Sequence, residues 1–504
     1  MAPTHLGHPV NMAAICLALG LTYFVGRTFY YIFLSPLRSV PGPLSHRISI
    51  LPRAYHLWIG DLPFHVARLH AKYGPAVVIA PGEVGFASPQ AWKDIYGHKT
   101  AGEPEMEKYD GFYRILPHLP RHIISAKREE HSMLRRQLAH GFSERSMRGQ
   151  EPIIGGYVDL LIQRMREAVA VPGGGGDSAL GASLNMREWY NYTTFDIIGD
   201  LGLGSSFGCL DQSDYHPWIR LITDTIRQNA KNVVLVNMGL LPLVNWFGRS
   251  KGSKQNQHRD IVKAKLQQRM EVGFDERPDL IEGLLKKDAE WGMGIDKLAQ
   301  NASILIIAGS ETTATLLSGA TFLLATNPDK LARLVQEVRS SFKSDEEITL
   351  NSVNNLTYML ACLNESLRMY PPVAGALPRQ VPRGGGVISG TPVAEGTVVA
   401  VWQYSVNHHP DYWTEPMTFA PERWMGDPKY KSDQLDAMQP FHIGPRNCIG
   451  RNLAYAEMRL ILAKLLFNFE IALDERSGDW MKTQKAYLLW DKPGLHIHVK
   501  PVVR

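Results

Sequence analysis

Cys448 lies in a segment whose residue types suit a reactive thiolate, Phe441-His-Ile-Gly-Pro-Arg-Asn-Cys-Ile-Gly450. An apolar helical pattern follows, so the cysteine stands near a helix start, where backbone N–H groups and the helix dipole stabilise a thiolate. Gly444 and Gly450 allow the backbone to approach a large flat ligand, and Arg446 could reach an anionic group on it. For an isolated cysteine, a buried structural role is the common alternative.

A second segment, Ala308-Gly-Ser-Glu-Thr-Thr313, lies in a long apolar stretch where Glu311 is the single charge. A glycine inside a helix destabilises the helix by about 1 kcal/mol relative to alanine, so Gly309 requires a specific reason. Its missing side chain predicts a groove beside Thr312 where a small ligand could lie. A carboxyl and a hydroxyl at adjacent positions can supply protons by general acid catalysis. The alternative for Thr312 is a hydrogen bond back to the carbonyl of Ala308.

A third segment, Glu365-Ser-Leu-Arg368, places a carboxylate and a guanidinium on one helix face. On a surface such a pair contributes little to stability. Two further short patterns complete the set. They are Pro421-Glu-Arg423-Trp424 and His131-Ser-Met-Leu-Arg135.

These segments, in this order, resemble the cytochrome P450 superfamily. Its haem-binding signature FxxGxRxCxG is matched at every fixed position by Phe441, Gly444, Arg446, Cys448 and Gly450. The second segment is similar to the family's [AG]-G-x-[DE]-T-[ST] element, the third to its ExxR element, and the fourth to its PERF element with tryptophan in place of phenylalanine. The fifth segment is similar to the family's WxxxR element, with His131 in place of the tryptophan. The local sequence resembles that of fungal enzymes of secondary metabolism, in particular isotrichodermin hydroxylases.

The resemblance implies roles for individual residues. Cys448 would be the axial ligand of the iron of haem b, and thiolate ligation favours O–O cleavage. Arg446 and Arg135 would contact the haem propionates, and Glu311 with Thr312 would deliver protons during oxygen activation. A structural cluster is implied as well, in which removing one member would strand a buried charge. Its members are Glu365, Arg368 and Arg423.

The implied activity is monooxygenation of a lipophilic small molecule, a polyketide, terpenoid or alkaloid, with O2 and electrons from NADPH. No glycine-rich dinucleotide fingerprint follows a strand, so the electrons would come from a membrane-bound NADPH–cytochrome P450 reductase. It would dock near Cys448 on Arg446, Arg451, Arg135 and Arg136. Pocket walls are expected from the ranges 110–117, 218–239, 304–312 and 373–377.

Three alternatives stay open at this point. A haem-thiolate isomerase or dehydratase would rearrange peroxides without external electrons, but would not need Thr312. A general xenobiotic or fatty-acid hydroxylase would share the whole site. A non-catalytic haem-binding scaffold would keep Cys448 and the ExxR support, yet would not need Glu311 beside Thr312.

The amino-terminal stretch from Val10 to Leu34 contains one charge and is long enough to cross a bilayer. Positive charge lies downstream of the stretch rather than before it, which favours an uncleaved anchor with the rest of the chain in the cytosol. Pro-Gly-Pro at 41–43 then predicts a stiff hinge. We expect an anchor over 1–35, a proline-rich hinge over 36–50 and a catalytic domain over 51–504, attached to the endoplasmic reticulum by one membrane pass.

The composition, with 44% apolar and 20% charged residues, is typical of a globular protein with a large core. A net charge of +5 without basic runs argues against nucleic-acid binding. Four scattered cysteines exclude a disulfide framework and a zinc motif. Helical patterns dominate from about residue 125 to 370, whereas strand-like runs cluster at 76–79, 84–87 and 387–401. The glycine runs at 173–176 and 384–386 indicate loops. The chain is therefore predicted to be mainly α with a minor β-sheet (α+β), one large P450-type catalytic domain behind a transmembrane helix.

Overall fold

The computed structural model describes residues 8–100, 102–114, 119–170, 180–214, 217–240, 252–271 and 279–503. The glycine run at 173–176 and the last part of the expected pocket range, 115–117, lie outside them. Helices make up most of the described chain. They are α1 His8–Phe29, α2 Leu44–Ile48, α3 Leu51–Ile59, α4 Leu62–Tyr73, α5 Pro89–Tyr96, α6 Asp110–Tyr113, α7 Arg128–Gly141, α8 Glu144–Ala170, α9 Met186–Leu203, α10 Cys209–Gln212, α11 Pro217–Asn237, α12 Gly252–Glu271, α13 Glu282–Trp291, α14 Gly294–Ala325, α15 Pro328–Ser341, α16 Thr357–Met369, α17 Gln403–Asn407 and α18 Arg451–Asn468.

The strands are short and form small sheets. They are β1 Ala76–Ala80, β2 Glu83–Phe86, β3 Glu107–Lys108, β4 Ala182–Asn185, β5 Arg379–Gln380, β6 Gly386–Ile388, β7 Thr391–Val393, β8 Val398–Val401, β9 Phe469–Leu473, β10 Lys485–Ala486, β11 Trp490–Asp491 and β12 His496–Pro501. The largest sheet has the order β1-β2-β8-β5-β3, and β4-β12-β9 form a second. Strands β2 and β8 pair in parallel, which joins the expected strand cluster at 76–87 to the end of the cluster at 387–401, while β6 and β7 form a separate two-stranded sheet.

The centre of the molecule is the pair of helices α9 and α14, which pack closely along their length. Nearly every residue of α9 is buried, polar ones such as Thr193 and Asp196 included, so protein encloses this helix on all sides. Helix α14 is also buried over most of its length. The Cys448 segment leads into α18, which packs against α14 and α8. The two chemical segments therefore face each other across the core.

Helix α1 continues through a π-helical turn at Tyr30–Leu34 and does not join the core. The span Ala14–Leu34 is long and apolar enough to cross a membrane, and none of its most apolar window is buried. Helix α14 passes the same test of length and composition, but 72% of its window is buried, which identifies it as a core helix. The mainly helical α+β fold with an apolar amino-terminal helix is thus confirmed.

Candidate active site

A cavity of about 270 Å³ lies between α14 and the Cys448 segment. On the α14 side its wall is formed by Ile304, Leu305, Ala308 and Thr312. Most of the remaining wall is apolar and comes from segments far apart in sequence. It includes Ile123, Ile124, Leu367, Val373, Leu377, Phe441, Ile449 and Met458. An apolar cavity with a few converging polar groups is the usual form of a small-molecule site.

The Cys448 segment is held in shape by one glycine. Gly444 has φ +74°, in the left-handed region, and a Cβ atom there would lie 1.9 Å from the carbonyl oxygen of Tyr96. Gly444 opens a short 3₁₀ turn, after which the Cys448 N–H donates to the carbonyl of Phe441 at 2.8 Å. Gly450 differs, since its φ is −84° and an added Cβ would make only ordinary contact with Phe142 at 3.6 Å.

The Cys448 side chain opens onto the cavity while protein surrounds it on the other sides. Burial raises the pKa of the thiol, and the Gly450 N–H, Arg135 and Arg451 oppose that rise without cancelling it. The backbone N–H at the helix start thus favours the thiolate, as the sequence suggests, while burial acts against it. A bound metal cation deprotonates a coordinating thiol, so this residue suits a metal ligand better than a free nucleophile.

One end of the cavity carries an excess of positive charge. Lys108 stands directly opposite Arg379 in the β3–β5 pair, an unfavourable arrangement for like charges. Glu105 accepts from Arg379 at 3.3 Å and from Arg446 at 2.5 Å. Burial lowers the pKa of Lys108 well below its usual range, and the two arginines lower it further. Arg379 Nε is buried without a partner in the described part of the chain. This end of the cavity fits a ligand with carboxylate groups.

The two arginines expected at the propionates both line the cavity, and each also has a protein partner. Arg446 donates to the carbonyl of Ala126 at 2.8 Å besides its pair with Glu105. Arg135 donates to the backbone carbonyl of Asn447 at 2.7 Å and so bridges α7 to the residue before Cys448. His131, in place of the family's tryptophan, is buried on the cavity wall, where burial lowers its pKa to about 3 and keeps it neutral.

Taken together, these surroundings fit haem. A thiol facing an apolar slot supplies an axial ligand, and the flat apolar body would lie between α14 and the Cys448 segment. The cationic end matches two propionate groups. Lys108 lines this end and Arg379 stands opposite it in the strand pair; neither was expected from the sequence, because only the strand pairing brings them together.

Helix α16 carries the Glu365 cluster behind the site. Arg368 donates to Glu365 at 2.7 and 3.0 Å, and Arg423 donates to it at 3.0 Å. All three side chains are fully buried. Trp424 donates to the same carboxylate at 2.9 Å, which gives this tryptophan a hydrogen-bonding role that phenylalanine could not have. Asp433, which sequence reasoning missed, pairs with Arg423.

Helix α14 turns its two expected catalytic residues in different directions. The Thr312 hydroxyl donates to the carbonyl of Ala308 at 2.6 Å, as the alternative interpretation predicted, and the residue also lies on the cavity wall. Glu311 is absent from the cavity wall and forms a buried ion pair with Lys492. Gly309 packs against Ile198 of α9, with 2.7 Å between a built Cβ and that side chain, so it serves helix packing rather than a groove.

The apolar residues expected in the pocket are partly found there. Ile304, Leu305, Val373 and Leu377 line the cavity, as the sequence suggested. Tyr113 does not line the part of the cavity formed by the described residues. Its hydroxyl is buried and has no hydrogen-bond partner among those residues. The expected range 218–239 falls on α11, and the part of it whose side chains are described, 227–239, does not contribute to the lining.

Comparison with known proteins supports the same assignment. The chain matches the family described as "Cytochrome P450" over residues 48–499. It is 48% identical to cytochrome P450 monooxygenase tpeC of Talaromyces stipitatus, over 97% of this chain and 95% of the relative. It is 44% identical to cytochrome P450 monooxygenase 1 of Neocamarosporium betae over 96% and 97%, and 41% identical to the trichothecene C-15 hydroxylase of Fusarium sporotrichioides over 96% of both. With the thiol and the threonine on one cavity, the chain belongs to the cytochrome P450 family and is a haem-dependent monooxygenase.

Proposed function

We propose that this monooxygenase hydroxylates or epoxidises a lipophilic small molecule of fungal secondary metabolism. The observation that carries the proposal is the placement of Cys448 and Thr312 on the walls of one largely apolar cavity. Apolar walls favour a hydrocarbon-rich substrate, because its burial removes apolar surface from water. The similarity to a trichothecene C-15 hydroxylase supports a terpenoid-like skeleton as one candidate class.

When bound, haem supplies the oxygen-activating chemistry. Cys448 would be its axial ligand, and Arg135, Arg379, Arg446 and Lys108 would hold its propionate end. The Thr312 hydroxyl donates to the Ala308 carbonyl in the structure, and once that bond opens it would donate its proton at the cavity wall. Glu311 would restore that proton from the buried side of α14. The apolar walls hold the substrate and exclude water.

Two variants test these roles in the holoenzyme. Cys448→Ala should abolish the absorption band that sulfur-ligated haem shows after reduction under carbon monoxide, whereas Cys16→Ala, in the exposed α1, should keep it. Thr312→Ala should keep the band but divert NADPH electrons to peroxide, raising the peroxide formed per NADPH severalfold. A wild-type band in Cys448→Ala would refute the ligand assignment, and a wild-type peroxide yield in Thr312→Ala would refute the proton role. Turnover without any reductase would instead indicate an isomerase.

We further propose NADPH–cytochrome P450 reductase as the electron donor, docking beside Cys448. Arg136 and Arg451 are exposed on this side and support the proposal, whereas Arg135 is half-buried and the Arg446 side chain is only 3% exposed. Arg136→Glu with Arg451→Glu should slow haem reduction, and the defect should shrink at high salt as screening weakens the wild-type attraction. Lys482→Glu, which is 81% exposed at its side chain, is the matched control. Equal reduction rates for both variants would contradict this docking surface.

The amino-terminal helix supports a membrane location. We propose that residues 1–35 form a single-pass anchor in the endoplasmic reticulum, with the hinge at 36–50 and the catalytic domain of 51–504 facing the cytosol. The exposed apolar span Ala14–Leu34 is the basis of this proposal. In protease protection of microsomes, the catalytic domain should be digested without detergent. Protection of the domain would reverse the proposed topology.

A further inference from the structure

Glu311 is held on the buried side of α14 by a residue near the carboxyl terminus. Lys492 pairs with Glu311 and donates to the Thr315 hydroxyl at 2.8 Å. Thr315 lies one helical turn after Glu311, and 3.5 Å separates its hydroxyl from that carboxylate. The side chains of Lys492 and Glu311 are only 3% and 11% exposed. The acid expected to serve Thr312 is therefore in contact with one buried ammonium group.

Lys492 is also next in sequence to a partly exposed residue. It directly follows Asp491, the last residue of β11, whose 28% exposed carboxylate pairs with Arg227 at 2.6 Å. Arg187 of α9 donates to the Lys492 carbonyl at 2.7 Å. A partly exposed carboxylate thus lies one position along the chain from the lysine whose buried ammonium pairs with Glu311.

The surroundings of Lys492 favour release of a proton from its ammonium group. Burial lowers the pKa of its ammonium and Arg187 lowers it further, while Glu311 and Asp491 act in the opposite direction. Tyr370 faces the same region, and burial together with the Glu311 charge raises the pKa of its phenol, so it stays protonated. Together these effects lower the pKa of Lys492, so its ammonium releases a proton more readily than a lysine in water does.

We propose that Lys492 supplies protons to Glu311, so that the carboxyl-terminal hairpin β10–β11 marks the route by which protons reach Thr312 from solvent. This rests on the proposed roles of Glu311 and Thr312. In the step an Nζ–H bond of the ammonium breaks and an O–H bond forms on Glu311, leaving a neutral amine and a neutral carboxyl. The amine then regains a proton from a hydronium ion that enters from solvent beside Asp491 and is left as water. Because Lys492 acts through Glu311, it is a positioning residue.

The test uses substrate-free holoenzyme with NADPH–cytochrome P450 reductase and measures peroxide formed per NADPH consumed. Lys492→Met removes the donor and should raise this ratio severalfold. Lys492→Arg keeps the positive charge, but a guanidinium does not release protons. It should keep the thermal unfolding midpoint close to wild type and still show the high peroxide ratio. A wild-type ratio in Lys492→Arg would show that only the charge matters, and would overturn the proposal.

A charge-neutral pair guards against loss of folding. Glu311→Gln with Lys492→Met strands neither charge, so its unfolding midpoint should exceed that of Lys492→Met alone. Its peroxide ratio should equal that of Glu311→Gln, since Lys492 acts only through that carboxylate. A higher ratio in the double variant, or no gain in its midpoint, would overturn the inference.

The single variant Glu311→Gln separates the two proposals. A wild-type peroxide ratio in Glu311→Gln would remove Glu311 from the proposed function and this inference with it. A raised ratio in Glu311→Gln beside a wild-type ratio in Lys492→Met would overturn only the role of Lys492. The band of sulfur-ligated haem, recorded for each variant, reports haem loading independently of turnover.

Discussion

Glu365 shows how a single buried carboxylate organises the region behind the active site. It accepts from Arg368, Arg423 and Trp424, and the Ala420 N–H donates to it at 3.1 Å as well. Arg368 also donates to three backbone carbonyls, those of Asn407, Pro416 and Thr418. The cluster thereby fixes the long irregular segment between α17 and the Cys448 segment, which has little regular structure of its own.

Arg423→Ala should destabilise the protein strongly, because it leaves the buried carboxylates of Glu365 and Asp433 without this cation. Breaking a buried ion pair in this way costs about 3–5 kcal/mol. Urea unfolding should show the loss, accompanied by reduced haem content. The matched control is Arg333→Ala, whose side chain is 50% exposed beside Glu422 and should change stability by no more than about 0.5 kcal/mol. Equal effects of the two variants would contradict a structural role for the cluster.

At the scale of elements, the turn that presents Cys448 depends on its contact with α5. Gly444→Ala places a Cβ against the Tyr96 carbonyl in a left-handed conformation. We expect a loss of about 3 kcal/mol or more, since both the strain and the overlap act against the fold. The loss should appear as a lower urea midpoint and a weaker haem-thiolate band. Gly450→Ala, with only ordinary contact at 3.6 Å, should cost far less, and a similar loss in both would refute this explanation.

Helices α14 and α18 meet at a buried carboxyl, Glu457, which bonds to Thr313. One of its oxygens has no partner among the described residues. Burial raises the pKa of Glu457 to about 8, so the carboxyl is neutral in the folded protein at pH 7. This residue is absent from the sequence-based site. A carboxylate nine residues after Cys448, inside an otherwise apolar helical pattern, was the available signal.

Stability should fall with rising pH because of Glu457. Below about pH 4.5 the carboxyl is protonated in both states. Between that value and about 8 the unfolded state ionises first, which lowers the free energy of unfolding by on the order of 4 kcal/mol in total. Glu457→Gln should therefore flatten the dependence of urea unfolding between pH 5 and 8. Glu475→Gln, at an exposed position, should leave it unchanged. Identical pH profiles for wild type and Glu457→Gln would contradict the raised pKa.

At the scale of the whole molecule, α1 stands apart from the catalytic core. Large apolar side chains are exposed along it, including Leu17, Leu21 and Phe24, and water is a poor solvent for such a surface. Deleting residues 1–35 should move the protein from the carbonate-washed membrane pellet to the supernatant while the haem-thiolate band persists. Release of the full-length chain by the carbonate wash would rule out a spanning anchor.

The family and the mainly helical fold could be predicted from the sequence alone, as could the cysteine proposed as the axial ligand, because each depends on local patterns. Three kinds of local pattern can be recognised without knowing any tertiary contact. They are the fixed spacing around Cys448, the apolar length of residues 10–34, and the ExxR and PERW segments. The expected strands at 76–79 and 84–87 likewise follow from short β-branched runs.

Which neighbours surround these residues depends instead on the three-dimensional fold. Lys108 meets Arg379 through a strand pair, and Lys492 meets Glu311 across 181 positions of the chain. The direction of Glu311 was decided by that distant lysine, since a buried carboxylate must lie where a cation can pair with it. Packing against α9 likewise gave Gly309 its role. Such long-range pairings depend on how helices and strands cross in space, and no local spacing encodes them.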